Sequence, residues 1–479
     1  MIQSPLWSAL DHGLRPSFTR PGEAVPRWSL SERMAFHHVP GVAIAIVRDG
    51  GVVEARGFGV REAGSSTAIV TGETVFNVGS VSKVALASTV LQMVAAGQLQ
   101  LDRDVNTYLT QWQVPNQRGL RNAPISLRML LSHTSGLTVH GFPDYQAGET
   151  LPTLLQTLEG LPPARTEPVR RRRDAGILGD YSGGGIVVAQ MVVEDQTRKT
   201  LDAAARARIF EPLGMVHSRF STPPDEWAER VAKAHGKMGE GLFGPRGWPS
   251  LPQEGAQGLW TSAHDLGRLT AALMASYRSD SGFLPQALAV DMMSEVAPSW
   301  HGLGPRLDGD GTRRIFHHGG SNVGYHAWME GYLETGDGFV ILTNGDNGQL
   351  LRGEIRNALS DAIGLGVNPV LHTLDDDPDA SAGFAGTYVL ATNTPNDLRR
   401  ELTDVFNFPQ LTFRQEKDGL TVTTPEETGI LLALAPSRFF APTVFGTRYE
   451  FHRDGRGAVR GVTVRRGESA VAYYQRRSR

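Results

Sequence analysis

The chain of 479 residues predicts an α/β (α+β) fold followed by a small antiparallel β-barrel. Three observations carry this. Hairpin patterns stand at 39–60 and at 324–344. Helical patterns lie between them, and helical periodicity stops beyond residue 371. A sheet assembled from both ends of a region, with helices supplied by its middle, is an α+β or mixed α/β layer pattern.

Each element has its own local reason. In VPGVAIAIVRDGGVVEARGFGV, from Val39, Val, Ile and Ala alternate on either side of Asp49-Gly50-Gly51, a turn sequence. Residues 80–98 place apolar side chains at helical spacing and stop near Gly97. Two further helices are expected at 185–195 and 262–276. GYHAWMEGYLETGDGFVILTN, from Gly324, is a second hairpin that turns at Thr335-Gly336-Asp337-Gly338. LHTLDDDPDASAG gathers aspartate, proline and small residues, as linkers do. The expected division is therefore 1–370, a linker at 371–382, and a β domain at 383–479. In that last part AGTYVL, LTFRQEKDGLTVTTP, GTRYEFHRDGRGAVRGVTVRRG and SAVAYYQ are short strands joined by Asp-Gly and Gly turns.

Composition narrows the function. Hydrophobic residues make up 40% and charged residues 20%, as in ordinary folded domains. The net charge of -3 speaks against nucleic acid as a partner and gives no reason to expect a membrane surface. The absence of cysteine excludes thiol catalysis, disulfides and cysteine-bound metal. MIQSPLWSALDHGLRPSFTR has no basic segment leading into an apolar one, and no apolar run is long enough to span a bilayer. A cytoplasmic location with no membrane partner is expected. No cofactor is expected either, since there is no Walker loop and no G-x-G-x-x-G after a strand. G-x-S-x-G is also absent, which leaves an α/β-hydrolase elbow without support. No metal is expected: His317 and His318 would point to opposite faces of a strand. The run Arg170-Arg171-Arg172-Arg173 is expected in a solvated loop.

Three short segments carry chemistry. In VFNVGSVSKVALASTVLQMV, Ser80 and Lys83 stand at i and i+3 on one helix face. At a helix start, backbone N–H groups and the helix dipole favour developing negative charge and disfavour an ammonium. Lys83 would then lose its proton more readily and could deprotonate Ser80. Serine also caps helices, so the spacing alone leaves both readings open. Lysine is scarce here (Lys83, Lys199, Lys233, Lys237 and Lys417), and only Lys83 has serine three positions earlier. In GDYSGGGIVVAQ, Tyr181 precedes three glycines and a helix, where a tyrosine near cations can exchange protons. In IFHHGGSNVGYHAWME, a His-Gly-Gly-Ser run can present backbone N–H groups and an imidazole to a cleft.

Taken in order, Ser80-Val81-Ser82-Lys83, Tyr181-Ser182-Gly183 and His318-Gly319-Gly320 resemble the S-x-x-K, Y-x-N and K-T-G or H-x-G motifs of serine hydrolases related to class C β-lactamases and penicillin-binding proteins. PGVAIAIVRDG, LLSHTSGL, FEPLGM, GLWTSAHDL and GGSNVGYHAW also read like segments of that superfamily, and together they cover most of 39–350. The resemblance implies a mixed sheet flanked by helices, beside a helical subdomain, with a lipocalin-like barrel appended. It implies that Ser80 attacks a carbonyl, that Lys83 and Tyr181 share the proton transfers, and that the N–H groups of Ser80 and Ser321 form an oxyanion hole. His318, Gly319, Gly320, Gly183 and Asn322 would then line the substrate site. Two positions depart from the lactamase pattern. Gly183 stands where an asparagine is usual, and His318 replaces a lysine with a side chain that is mostly neutral at pH 7. The resemblance is therefore to the D-aminopeptidase and esterase branch. It implies a small-molecule or short-peptide substrate, cleaved at a peptide, amide or ester bond. A carboxylesterase, a weak β-lactamase and a non-catalytic binding protein on the same fold are the alternatives.

Overall fold

A computed structural model of the chain describes residues 5–177, 179–280, 282–296, 299, 301–375, 381–391, 410–417, 419–423, 428–442, 447–466 and 470–477. Residues 376–380 of the expected linker lie outside this set. The chain divides into two units, Met1–Arg15 with Arg27–Asn368, and Pro16–Pro26 with Pro369–Arg479.

The first unit is built on six strands. Their order is Gly51–Gly59, Gly41–Arg48, Gly338–Thr343, Tyr325–Tyr332, Ile315–Asn322 and Arg306–Asp308, every neighbouring pair antiparallel. Both expected hairpins are present, and their inner strands pair in the middle of the sheet, with Ile44 opposite Ile341. The first turn has positive φ at both Asp49 (50°) and Gly50 (74°), the backbone that a tight hairpin requires. Alternation sorts the strand residues onto two faces. Ala43, Ala45, Val340 and Leu342 join one core with the Ala263–Arg278 helix. Val42, Ile44, Phe339 and Ile341 join another with the Gly348–Ile363 and Pro5–His12 helices. The first of these cores continues into a helical region that contains Ser82–Ala95 and Gly183–Thr197. Ser82–Ala95 is buried on most sides, and its polar Ser88 and Thr89 donate their hydroxyls back to Val84 O (2.8 Å) and Ala85 O (3.0 Å).

Among the described residues the second unit carries a nine-stranded antiparallel sheet. Its two edge strands, Thr428–Ile430 and Leu432–Ala435, are separated in the chain only by Leu431. That brings the sheet's edges together into a nearly closed barrel. Phe384, Tyr388, Phe413, Phe439, Phe451 and Tyr474 fill its interior. Pro16–Pro26 groups with this unit because Phe18–Thr19 pairs in parallel with Leu371–His372 and the Phe18 ring lies 6.2 Å from that of Phe440. Among the described residues no helix is long and apolar enough to cross a membrane.

The arginine run corrects an expectation. Arg170 and Arg172 are exposed, but Arg171 and Arg173 are each only 5% exposed. Arg171 bridges Leu137 in extended backbone, which sends successive side chains to opposite sides. Its guanidinium donates to Ala123 O at 2.7 Å, and Arg173 pairs with Asp180 at 3.0 Å, next to Tyr181.

Candidate active site

Ser80 lies in the tight turn Gly79–Val81, between the strand Val75–Asn77 and the helix Ser82–Ala95. Buried Asn77 shapes this turn. Its Oδ1 accepts the Gly79 N–H at 2.9 Å, and its Nδ2 donates to Gln257 O (3.1 Å) and Leu259 O (3.3 Å). Ser82 Oγ donates to Gly79 O at 2.6 Å and accepts the Leu259 N–H at 2.9 Å. Ser80 remains partly exposed while Lys83 is 2% exposed. Lys83 Nζ donates to Ser80 Oγ at 3.0 Å and to Ala256 O at 2.6 Å.

Tyr181 arrives from the start of the Gly183–Thr197 helix, and its phenol lies close enough to Ser80 and Lys83 for both to favour its ionised form by hydrogen bonding. Lys83 Nζ lies 5.0 Å and Arg306 Cζ 5.4 Å from the centre of its ring. Burial pushes the Tyr181 phenol up, but the charges of Lys83 and Arg306 and the two hydrogen bonds outweigh it and hold the phenol below its ordinary value. Four imidazoles surround the same ring: His133 at 4.2 Å, His140 at 5.1 Å, His301 at 6.0 Å and His318 at 6.4 Å. Burial, reinforced by neighbouring positive charge, keeps His133, His301 and His318 well below the usual histidine range. These rings are therefore neutral at pH 7. Among the described residues no three or more histidines, aspartates or glutamates are grouped to hold a metal ion.

The hydrogen bonds assign the tautomers. His133 Nδ1 accepts the Ser182 N–H at 3.2 Å. His301 Nε2 accepts from Arg306 Nε at 3.3 Å, which leaves its Nδ1–H to face Ser299 Oγ at 3.1 Å. His318 Nδ1 lies 2.8 Å from Gly319 O and donates to it, so its buried Nε2 is an acceptor with no partner among the described residues. His317 points the other way and stacks on Trp328 at 4.9 Å.

The strand Ile315–Asn322 passes hard against the Ser80 turn. A Cβ on Gly320 would lie 1.8 Å from Val78 O and 3.0 Å from Ser80 N, and one on Gly79 would lie 2.6 Å from Ser321 N. Glycine at both positions lets the backbones of Ser80 and Ser321 meet. Arg352 Nη1 supports the strand by donating to Gly320 O (3.1 Å) and Ala327 O (2.7 Å). Ser321 Oγ lies 2.8 Å from His326 Nδ1, and His326 Nε2 lies 2.9 Å from Asp346 O, so Ser321 donates to Nδ1 and the Nε2–H of His326 donates to the carbonyl. Asn322 commits its Nδ2 to Asn77 Oδ1 (2.7 Å) and Gln257 O (3.3 Å), which ties the strand to the turn.

Gly183 also has a packing reason. A Cβ there would meet Phe142 Cε2 at 2.9 Å and His140 O at 3.0 Å. The structure thus brings Ser80, Lys83, Tyr181, His318, Gly320 and Ser321 together. Sequence reasoning missed Asn77, His133, His140, His301 and Arg306, which converge on the site from separate segments. Positive φ at His133 (60°) and at β-branched Val139 (68°) is a further mark of a constrained site, and no sequence pattern announces it.

Comparison with known proteins follows the same lines. The family model described as Beta-lactamase matches residues 29–362. The chain is 30% identical over 332 residues to penicillin-binding protein 4 of Amycolatopsis lactamdurans, spanning 64% of this chain and 82% of that protein. It is 30% identical over 281 residues to esterase EstB of Burkholderia gladioli, spanning 52% of this chain and 68% of that protein. The octameric penicillin-binding protein homologue from Pyrococcus abyssi shares the fold, with a TM-score of 0.55 at 20% identity over 93% of this chain and 98% of that one.

Proposed function

The chain belongs to the beta-lactamase family, and we propose that it is a serine hydrolase that forms an acyl-enzyme at Ser80. One observation carries this reading. Lys83 Nζ donates to Ser80 Oγ at 3.0 Å and lies 5.0 Å from the centre of the Tyr181 ring, so serine, amine and phenol are grouped at one point, with Ser80 partly exposed. Lys83 Nζ donates to Ser80 Oγ and to the Ala256 carbonyl, which cannot donate in return. The Ser80 proton is then free to point at Tyr181, whose oxygen is flanked by the charges of Lys83 and Arg306. Tyr181 is the base in this reading, and Lys83 holds the alkoxide as it forms.

Attack by Ser80 on a carbonyl places negative charge on the carbonyl oxygen. The Ser80 and Ser321 N–H groups, brought together across Gly79 and Gly320, are the donors for it. Tyr181 returns the proton to the leaving group, the C–N or C–O bond breaks, and the acyl group stays on Ser80. Water then attacks the ester with Tyr181 again as base, the acyl carbon–Oγ bond breaks, and Tyr181 returns the proton to Ser80 as the acid leaves. His318, Gly319 and Gly320 form the wall along which the substrate lies. Asn322, with its amide nitrogen held by Asn77 and Gln257, acts by fixing that wall.

The substrate class follows from charge. A neutral imidazole at His318 keeps a buried, unpartnered Nε2 where a lysine would place a cation. This favours a small peptide or amide, then an ester, over efficient turnover of a β-lactam. The test is release of p-nitroaniline from D- and L-aminoacyl p-nitroanilides and of p-nitrophenol from p-nitrophenyl acetate. Ser80→Ala abolishes both in this account, while turnover that survives in the folded variant contradicts it.

A further inference from the structure

We infer that His140 contacts the substrate and selects for an N–H donor beside the scissile carbonyl, taking the place of the side chain absent at Gly183. This rests on the reading of Ser80 as nucleophile. The space into which a side chain at Gly183 would project is filled by the segment His140–Phe142. Three consecutive residues lash that segment down. Ser182 Oγ donates to Thr138 O (2.9 Å), Gly183 N to His140 O (3.2 Å), and Gly184 N to Val139 O (2.9 Å). Glycine at 183 and 184 permits this approach, since a Cβ on Gly184 would lie 2.5 Å from Thr138 O. The cost appears at Val139, a β-branched residue at φ +68°. Strain of that kind persists where the surroundings enforce it. Here it delivers the next residue, His140, to the Tyr181 ring, with 5.1 Å between ring centres, at a position that still reaches solvent.

The imidazole is not idle there. It packs against the Tyr181 ring, and the Tyr181 backbone beside it favours a ring N–H on that side. Loss of water around the ring and the charge of Lys83 hold His140 below the ordinary histidine range. At pH 7 the ring is therefore neutral, and one of its two nitrogens is a lone-pair acceptor. Lys83 and Arg306 give the cleft positive donors, and His140 gives it an acceptor at an accessible edge. An amide or amine N–H next to the reacting carbonyl satisfies that acceptor, and a hydrocarbon there does not.

The experiment compares alanine p-nitroanilide, in both enantiomers, with propionyl p-nitroanilide, which lacks the amino group. The readout is the ratio of kcat/KM values. His140→Ala is expected to lower the ratio for the preferred enantiomer by about tenfold, the worth of one hydrogen bond in a partly desolvated site. His140→Gln, which restores an acceptor oxygen, is expected to recover most of it. A His140→Ala ratio equal to that of the wild type overturns the inference, as does a wild-type enzyme indifferent to the amino group. Ser80→Ala separates the two failures. If that variant still cleaves the anilides, the nucleophile is wrong and the inference falls with it. If it does not, an unchanged ratio counts against His140 alone.

Discussion

Replacing Gly320 by alanine is the sharpest perturbation of the catalytic geometry. The added Cβ would lie 1.8 Å from Val78 O, 2.8 Å from Val78 C and 3.0 Å from Ser80 N, where ordinary contact begins at 3.4 Å. All three are backbone atoms, so no flexible side chain can swing aside. The Ile315–Asn322 strand and the Gly79–Val81 turn must separate, and Arg352 resists from behind through its bond to Gly320 O. Overpacking of this kind costs about 1–3 kcal/mol of stability. The larger effect is on the reaction. Relieving a 1.8 Å contact to the 3.4 Å of ordinary packing takes more than an ångström, which pulls the Ser80 and Ser321 N–H groups off a common oxyanion, and losing one such donor costs about 100- to 1000-fold in kcat. The assay is kcat for the best anilide or ester, measured with the denaturation midpoint of the same sample. Gly353→Ala is the control, because nothing lies within 4 Å of its Cβ position and it sits inside the Gly348–Ile363 helix. That change is expected to stabilise by about 0.5–1 kcal/mol and leave kcat alone. A folded Gly320→Ala enzyme with wild-type kcat would refute the close-approach argument.

Further outcomes follow from neighbouring residues. Arg306→Gln removes a cation from above Tyr181, so the ascending limb of the kcat/KM–pH profile moves to higher pH, whereas Arg306→Lys keeps it near its original place; a limb that stays put in Arg306→Gln counts against Tyr181 as base. Asp144 accepts the Val323 N–H, and burial raises its carboxyl to about 6, so the folded state holds this proton more tightly than the unfolded chain. Its stabilisation is present below the unfolded value of 3.8 and is lost as pH rises through about 6. Asp144→Asn is therefore expected to gain about 1–2 kcal/mol at pH 7.5 and nothing at pH 3.5, read from denaturant midpoints. Asn77→Ala leaves the Gly79 N–H and the Leu259 carbonyl without their side-chain partner and is expected to cost about 2–4 kcal/mol, together with most of the activity.

What could be read from the sequence was whatever had a local period or a fixed spacing. The Gly41–Arg48 and Gly51–Gly59 hairpin announced itself through alternation around Asp49-Gly50. Ser80 and Lys83 were visible because one helical turn joins them. Arg306, His140 and His301 were not, because each is a lone polar residue with no pattern around it, and only the packed fold brings them to Tyr181. The Gly348–Ile363 helix went unread, and the alternating burial of Arg170–Arg173 was hidden by composition, since four arginines in a row look uniformly solvated. Gly183 was legible as a departure from a motif. Its reason, a loop occupying the space of a side chain, exists only in the packed fold.

The most direct test of the central claim is to treat the protein with a fluorophosphonate and map the adduct by peptide mass spectrometry. The account predicts one adduct, on Ser80, that forms more slowly in Lys83→Ala and Tyr181→Phe. An adduct on another residue, or none in a preparation that hydrolyses p-nitrophenyl acetate, would contradict it.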